Sequence, residues 1–271
     1  MTVVVCLKWV HDAAQPDDVR FGAMSPADHS ALELALQCGE WAHADVTAIT
    51  VGPAQADHIL RDALACGVRR AVRIETSHAV SGADVAAAIA AVVADAHWVW
   101  CGDYSIDNGS GSVPAFLAAA LAARQALGVI HLSFGDAPTI DAGVIEATRR
   151  LDGGRREVLE VRAPAVVSVE GATAHLRRAG LTALRTAAAA AIEVIRIATP
   201  TRVDDCVVQQ YRPRARELAG PDGVSALARV LSLTGAGGAR GAASARRTVV
   251  LDPLDAAGRI LTELREWGYR T

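Results

Sequence analysis

Lysine is nearly missing from this sequence. Lys8 is the sole lysine among the 27 basic side chains of the 271-residue chain, the other 26 being arginines. Against 30 acidic residues this leaves a formal charge of −3, too balanced for a protein that binds nucleic acid through clustered phosphate-neutralising charge. Aromatic residues are also scarce, 4% against 51% hydrophobic residues overall, so Ala, Val, Leu and Ile must build the core. The five cysteines, Cys6, Cys38, Cys66, Cys101 and Cys206, are odd in number and contain no C-x-x-C pair, which argues for a reducing compartment and against a zinc ribbon. No apolar run approaches the roughly 20 residues of a membrane span. Met1 leads straight into Val3-Val4-Val5 with neither a basic region nor a small-residue cleavage site. The expectation is a cytoplasmic protein without membrane insertion.

The common chemical fingerprints are absent too. No G-x-G-x-x-G follows the first apolar run and no G-x-x-x-x-G-K-[ST] occurs, so ordinary dinucleotide and P-loop phosphate binding lack their signatures, and Lys8 cannot be a P-loop lysine. The eight histidines form no H-E-x-x-H, and no metal site is expected. Without a G-x-S-x-G elbow, a hydrolase triad is disfavoured.

What the first half does contain is an alternation of short β-branched runs with longer alanine-rich segments. Residues 3–9, 46–51, 71–74 and 98–101 read as strands; residues 25–40, 54–66, 83–94 and 113–124 read as helices, with Pro26 in the first turn of one and Gly67 ending another. Parallel strands need crossover helices, so this rhythm predicts a doubly wound, mainly parallel α/β sheet. After residue 128 the texture changes. Residues 144–149, 157–161 and 165–169 read as short strands, and Asp152-Gly153-Gly154 is a hairpin signal, which predicts an antiparallel extension. Residues 171–191 read as a surface loop passing into an alanine-rich helical turn. The expected organisation is an α/β domain over 1–195, an extended segment and linker over 196–247, and a strand-helix arm over 248–271.

The strongest candidate for chemistry is the loop Gly102, Asp103, Tyr104, Ser105, Ile106, Asp107, Asn108, Gly109, Ser110, Gly111, Ser112, Val113. It leaves the carboxyl end of a predicted strand and enters a helix, the place where ligands sit in open α/β sheets, and Gly109 and Gly111 would let backbone N–H groups approach a phosphate. The alternative is an ordinary connection with a serine cap. Gly52-Pro53-Ala54-Gln55 likewise joins a strand to a helix, either as a ligand contact or as a tight turn.

At this point the residues resemble a family. V-V-V-C-L-K-W-V at the N-terminus, M-S-P-A-D-H-S-A-L-E-L-A and G-P-A-Q-A-D-H-I-L-R-D-A-L-A-C-G-V fall in the order and spacing of the β subunit of electron-transfer flavoproteins. The most specific stretch is T-R-R-L-D-G-G-R-R-E-V-L-E-V-R-A-P-A-V-V-S over 148–168, where Arg149, Asp152, Gly153, Gly154, Pro164, Ala165, Val166 and Val167 hold the family's positions and Arg150 replaces its usual acid. The similarity extends over nearly the whole chain, and a type associated with mycofactocin-linked dehydrogenases is one version of it.

The resemblance implies an electron carrier without bond-making catalysis of its own, with an adenine-nucleotide-binding fold like that of universal stress proteins. An α subunit would carry most contacts to FAD. This chain would bury AMP through Cys6, through Ser25, Pro26, Ala27 and Asp28, through Val51, and through the 102–113 loop. Electrons would come from a donor dehydrogenase and pass to a membrane quinone reductase, and the C-terminal arm would pack on the α subunit. The family's recognition loop falls on 177–186, with Leu181 as its docking anchor and Arg177, Arg178 and Arg185 as neighbouring charges; the alternative is an exposed loop leucine. Two departures stand out. Aromatics that contact the flavin in other members are replaced here by Ala13 and Ala27, and the lysine-rich stretch after the recognition loop is replaced by alanines at 187–191. Ser112-Val113-Pro114 departs from the commonest AMP-binding form of the loop, so a bifurcating type holding a second FAD in place of AMP stays open, as does a free-standing adenine-nucleotide sensor of the stress-protein kind.

Overall fold

The computed structural model describes residues 1–10, 22–76, 81–107, 109–135, 143–197, 220–221, 223–234 and 250–267. The chain divides into two compact units, Met1–Cys206 and Val207–Thr271. In the first unit, β1 (Val3–Cys6) is buried at all four positions, as a β-branched run without polar alternation must be when helices cover both faces of a parallel sheet. Helix α1 (Pro26–Ala42) follows, with Ser25 as its cap: the Ser25 side chain accepts from the Asp28 N–H, and Pro26 occupies the first turn, where no N–H is needed. Then come β2 (Val46–Gly52), α2 (Asp57–Cys66), β3 (Arg70–Glu75), α3 (Gly82–Val92), β4 (Trp98–Gly102) and α4 (Val113–Ala120). Gly67 stops α2 at φ 117°, in the left-handed region that glycine enters without penalty.

The remaining elements of this unit are β5 (Arg124–Phe134), β6 (Val144–Arg150), β7 (Arg156–Arg162), β8 (Ala165–Val169), α5 (Leu181–Ala188) and β9 (Glu193–Ile195). They complete a nine-stranded sheet of order β7-β6-β5-β8-β4-β1-β2-β3-β9. Among the described strands of this sheet only the β5–β6 and β6–β7 pairs are antiparallel, so the fold is the expected α/β doubly wound sheet with a hairpin extension at one edge. The hairpin turns at Asp152–Gly154, as its sequence predicts.

Several expectations are corrected. The helix expected over 113–124 ends at Ala120; the backbone turns through Ala122 at φ 49°, and Arg124 already pairs with Ala165 in a strand. An apolar alanine-rich run does not reveal that a neighbouring strand edge will take over its backbone. Strand β8 is not part of the antiparallel ribbon; it lies between β4 and β5 and is parallel to both. In the second unit, described by itself, the stretch expected to be extended holds α6 (Ala226–Thr234), and α7 (Pro253–Glu266) is capped by the Asp252 carboxylate. Of the strand expected at 248–251, Val250 and Leu251 are not in a strand and the other two residues lie outside the described ones, as do the linker at 235–247, Ala13 and Cys206.

Strand alternation sorts the core into two layers. Val3, Val5, Trp98, Trp100, Ala165 and Val167 pack with Leu32, Leu36, Ile59 and Leu60 of α1 and α2. Val4, Cys6, Val99, Cys101 and Val166 face the other way, onto Ala86, Ile89 and Leu117 of α3 and α4. The few aromatics are concentrated in the first layer, where Trp41 lies 5.4 Å from Phe134 and 6.4 Å from Trp98, and Trp100 lies 6.3 Å from Phe134. Leu32 is fully buried in that layer. Leu32→Ala is expected to lower unfolding free energy by about 2–5 kcal/mol in urea titrations through lost burial and a residual cavity.

Candidate functional site

The strand order creates the site. Helices α1 and α2 carry the chain outward from β1 to β3 on one face, and α3 then returns it to β4 on the other side of β1, so the carboxyl ends of β1 and β4 lie beside a crevice that no crossover covers. A cleft of about 510 Å3 opens there. It is lined by Cys6 and Lys8 leaving β1, Ser25 and Asp28 opening α1, Val51 and Gly52 ending β2, Gly82, Val85 and Ile89 of α3, and most of the loop that joins β4 to α4.

Of the residues the sequence singles out, the cleft brings together Cys6, Ser25, Asp28, Val51, Gly102, Tyr104, Ser105, Asp107, Ser110, Gly111, Ser112 and Val113. Pro26, Ala27, Asp103, Ile106 and Gly109 belong to the same segments without lining it, and Asn108 lies outside the described residues. Sequence reasoning missed Lys8, Thr76 and the α3 residues. In the sequence Lys8 stands out only through the P-loop comparison, whereas in the fold it stands two positions beyond Cys6 where β1 opens into the cleft.

The loop is shaped by close contacts. Ser105 N–H donates to Ser110 O and Gly109 N–H to Ser105 O, each at 2.8 Å, closing a tight turn. A Cβ at Gly111 would stand 1.9 Å from the Asp103 carbonyl oxygen, and one at Gly102 would stand 2.8 Å from an Asp28 carboxylate oxygen. Glycine at 111 lets two stretches of the loop backbone pass one another at the mouth of α4, and glycine at 102 leaves room at the end of β4 for the first turn of α1. The Lys8 ammonium holds the turn from outside, donating to Ser105 Oγ and to Asp107 Oδ1, both at 2.6 Å. Burial pushes the Asp107 carboxyl up, but the bonds from Lys8 and Ser105 outweigh it and hold the group below the usual carboxylate range.

Asp28 sits at the base of the cleft, 6% exposed. Ser25 Oγ–H donates to it at 3.0 Å and the Lys8 N–H at 3.4 Å. Burial nevertheless dominates and raises its pKa to about 6, against the lowering effect of bonds from Ser25, Lys8 and Gly102. Beside it Cys6 and Cys101 are register partners on β1 and β4. The bond to Cys6, and then burial, push the Cys101 thiol well above its usual range, so it stays protonated as a small packing group. Among the described residues no three His, Cys, Asp or Glu side chains gather closely enough to hold a metal ion.

The residues that the resemblance assigns to docking, within 177–186, lie apart from the cleft lining. Leu181 is the first residue of α5 and is 74% exposed, with Leu184, Arg178 and Arg185 also exposed. Arg177 is differently placed: its guanidinium donates to both Glu33 carboxylate oxygens, at 3.0 and 2.9 Å, and to Glu40 at 2.5 Å, while its own N–H reaches Glu33 at 3.0 Å. It ties the 171–180 segment to α1. Burial raises the Glu33 carboxyl, but the Arg177 and Gln37 bonds prevail and hold it below its usual range.

The raised Asp28 pKa sets a pH dependence. The folded state holds this proton more tightly than the unfolded chain, so the stability Asp28 contributes is fully present below about pH 3.8 and is lost as pH rises through about 6. Urea unfolding at intervals between pH 4 and 7 is expected to show this decline, and Asp28→Asn to flatten it relative to the unsubstituted chain.

A family described as the electron transfer flavoprotein domain matches residues 17–200. Protein FixA of Bradyrhizobium diazoefficiens is 31% identical over 207 residues, covering 69% of this chain and 70% of its own. The electron transfer flavoprotein subunit beta of Clostridium acetobutylicum is 31% identical over 183 residues, covering 62% and 68%, and Protein FixA of Azorhizobium caulinodans is 31% identical over 210 residues, covering 70% and 73%. The matched span takes in Ser25, Asp28, the whole 102–113 loop and residues 177–186, and the doubly wound sheet carries them. This chain therefore belongs to the electron transfer flavoprotein family, with β subunits and FixA proteins as its relatives.

Proposed function

We propose that the chain is the β subunit of a two-subunit electron carrier, holding AMP in the cleft at the ends of β1 and β4 and completing an FAD site carried mainly by an α subunit. The observation that carries this reading is the glycine-cradled entry to α4. Gly111 leaves no room for a side chain beside Asp103 O, so the backbone there can approach a phosphate closely, and the first turn of α4 presents N–H groups with a positive dipole end to the same cleft. Pro114 in that first turn gives up a donor, so Lys8 and the serines of the loop supply the rest. The apolar wall of Val51, Pro53, Val85 and Ile89 suits an adenine ring, and about 510 Å3 lies within the roughly 300–1,000 Å3 of small-molecule sites. These residues fit a mononucleotide.

When bound, FAD supplies the one- and two-electron chemistry; this chain's residues position and dock. The exposed Leu181, flanked by Arg178 and Arg185, suits the docking of a donor dehydrogenase by one buried anchor and a few charges, with a membrane quinone reductase as acceptor. Arg177 serves that surface indirectly, by holding the loop to α1.

Co-expression with the α subunit followed by acid extraction is expected to yield one AMP and one FAD per heterodimer; two FAD would assign the bifurcating type, and a colourless chain carrying ATP would overturn the electron-carrier reading. Gly111→Ala is expected to lose the AMP. Leu181→Ala is expected to slow reduction by the donor while flavin content stays unchanged, and a loss of flavin instead would remove Leu181 from the docking surface.

A further inference from the structure

Two thiols meet at the floor of the cleft. Cys6 ends β1, Cys101 stands one residue before the end of β4, and the parallel register pairs them directly. Residues paired across neighbouring strands lie about 4.8 Å apart and point to the same face, within the roughly 4.4–6.8 Å of Cα separation that a disulfide spans. Both side chains belong to the layer covered by α3 and α4, both are free thiols, and the Cys101 thiol is bonded to Cys6. The electron-carrier reading gives neither sulfur a task.

This pair differs from the other described cysteines. Cys38 lies in the opposite core layer and Cys66 packs against that layer, its Sγ–H donating to Arg177 O at 3.7 Å, so the sheet separates both from Cys6 and Cys101. Cys6 and Cys101 also line the cleft together, with 9% and 4% of their surface exposed. A small neutral oxidant entering the cleft therefore meets two sulfurs already in contact. Exposure and bonding divide their roles. The bond to Cys6 and burial keep the proton on Cys101, which makes it a poor first nucleophile, whereas Cys6 is the more open of the two.

We propose that Cys6 and Cys101 form a reversible disulfide at the floor of the cleft when the chain meets a peroxide. The Cys6 sulfur attacks one peroxide oxygen, the O–O bond breaks, and the Cys6 proton leaves with the departing oxygen as water, so that Cys6 becomes a sulfenic acid. The Cys101 sulfur then attacks the Cys6 sulfur. The S–O bond breaks, and the Cys101 proton leaves with the hydroxyl as a second water. Together the two thiols give up two electrons and two protons, and hydrogen peroxide is reduced to two waters. A dithiol reverses the step by exchange, and in a reducing compartment such a bond is transient and follows the oxidant. It ties β1 to β4 covalently where the cleft opens, whatever the cleft binds.

The test treats the folded full chain with hydrogen peroxide, blocks the remaining thiols with N-ethylmaleimide in urea, and maps the unreduced digest by mass spectrometry. A peptide carrying Cys6 joined to one carrying Cys101 is expected, with both thiols lost to N-ethylmaleimide together. Non-reducing electrophoresis is expected to show a faster band, because the link closes a long loop in the denatured chain, and dithiothreitol to abolish both signs. Cys101→Ala is expected to lose the link and let Cys6 proceed to the sulfinic acid; Cys6→Ser is expected to leave Cys101 open to N-ethylmaleimide. Mapping of the unsubstituted chain decides the matter even where a variant fails to fold. Cys6 oxidised to the sulfinic acid while Cys101 stays a thiol, a link from either residue to another cysteine in place of this one, or both thiols unchanged would each overturn the inference, and none of these results touches the nucleotide reading.

Discussion

The pairing of β1 on both of its edges is the constraint on which the rest of the molecule depends. Four buried residues, Val3–Cys6, bond in register to β2 on one side and β4 on the other. A parallel sheet leaves neither face to water, so right-handed crossovers must cover both, and a chain that first moves outward from β1 and then returns past it places its helices on opposite faces. The crevice at the ends of β1 and β4 is the geometric residue of that reversal. No side chain had to be selected to open it; side chains only decide what fits.

Helix α1 connects the cleft to the exposed surface 171–188. Its first turn supplies Ser25 and Asp28 to the cleft. Further along, Ser30 Oγ–H donates to Ala174 O at 2.9 Å, and Glu33 and Glu40 hold Arg177. Gly171 passes so close to Pro26 that a Cβ there would meet the proline ring carbon at 2.9 Å. The segment leading to Leu181 is thereby laid along α1 from its N-terminus to its last turns. Arg177, a docking charge by the family resemblance, has its guanidinium committed to two carboxylates of the helix.

The scarcities in composition take on physical meaning in the same way. Trp41, Trp98, Trp100 and Phe134 gather in one core layer, leaving the α3 and α4 layer to aliphatic residues and alanine. The single lysine is neither a stray surface charge nor a P-loop residue but the clasp of the loop that borders the cleft. A charge balance close to zero across the chain thus conceals a local arrangement: among the described residues that line the cleft, the Lys8 ammonium stands with two carboxylates, Asp28, which is buried, and Asp107, whose side chain is 30% exposed.

The sequence by itself determined the class of fold, the capped start of α1, the hairpin at Asp152–Gly154 and the loop after β4, because apolar periodicity, a serine before a proline and glycine in a polar stretch act locally. It also carried the family resemblance, which the comparisons sustain. It did not determine where α4 would yield to β5, that β8 would enter the parallel sheet, or that residues 226–234 would be helical, since alanine-rich and short apolar runs suit more than one backbone until a partner is present. The same holds for the site. Cys6, Asp28 and Gly111 stood out in the chain, but the bond from Lys8 to a loop nearly a hundred residues away, the commitment of Arg177 to Glu33, and the raised pKa of Asp28 arise from distance, burial and neighbours, and these exist only once the sheet has closed around β1.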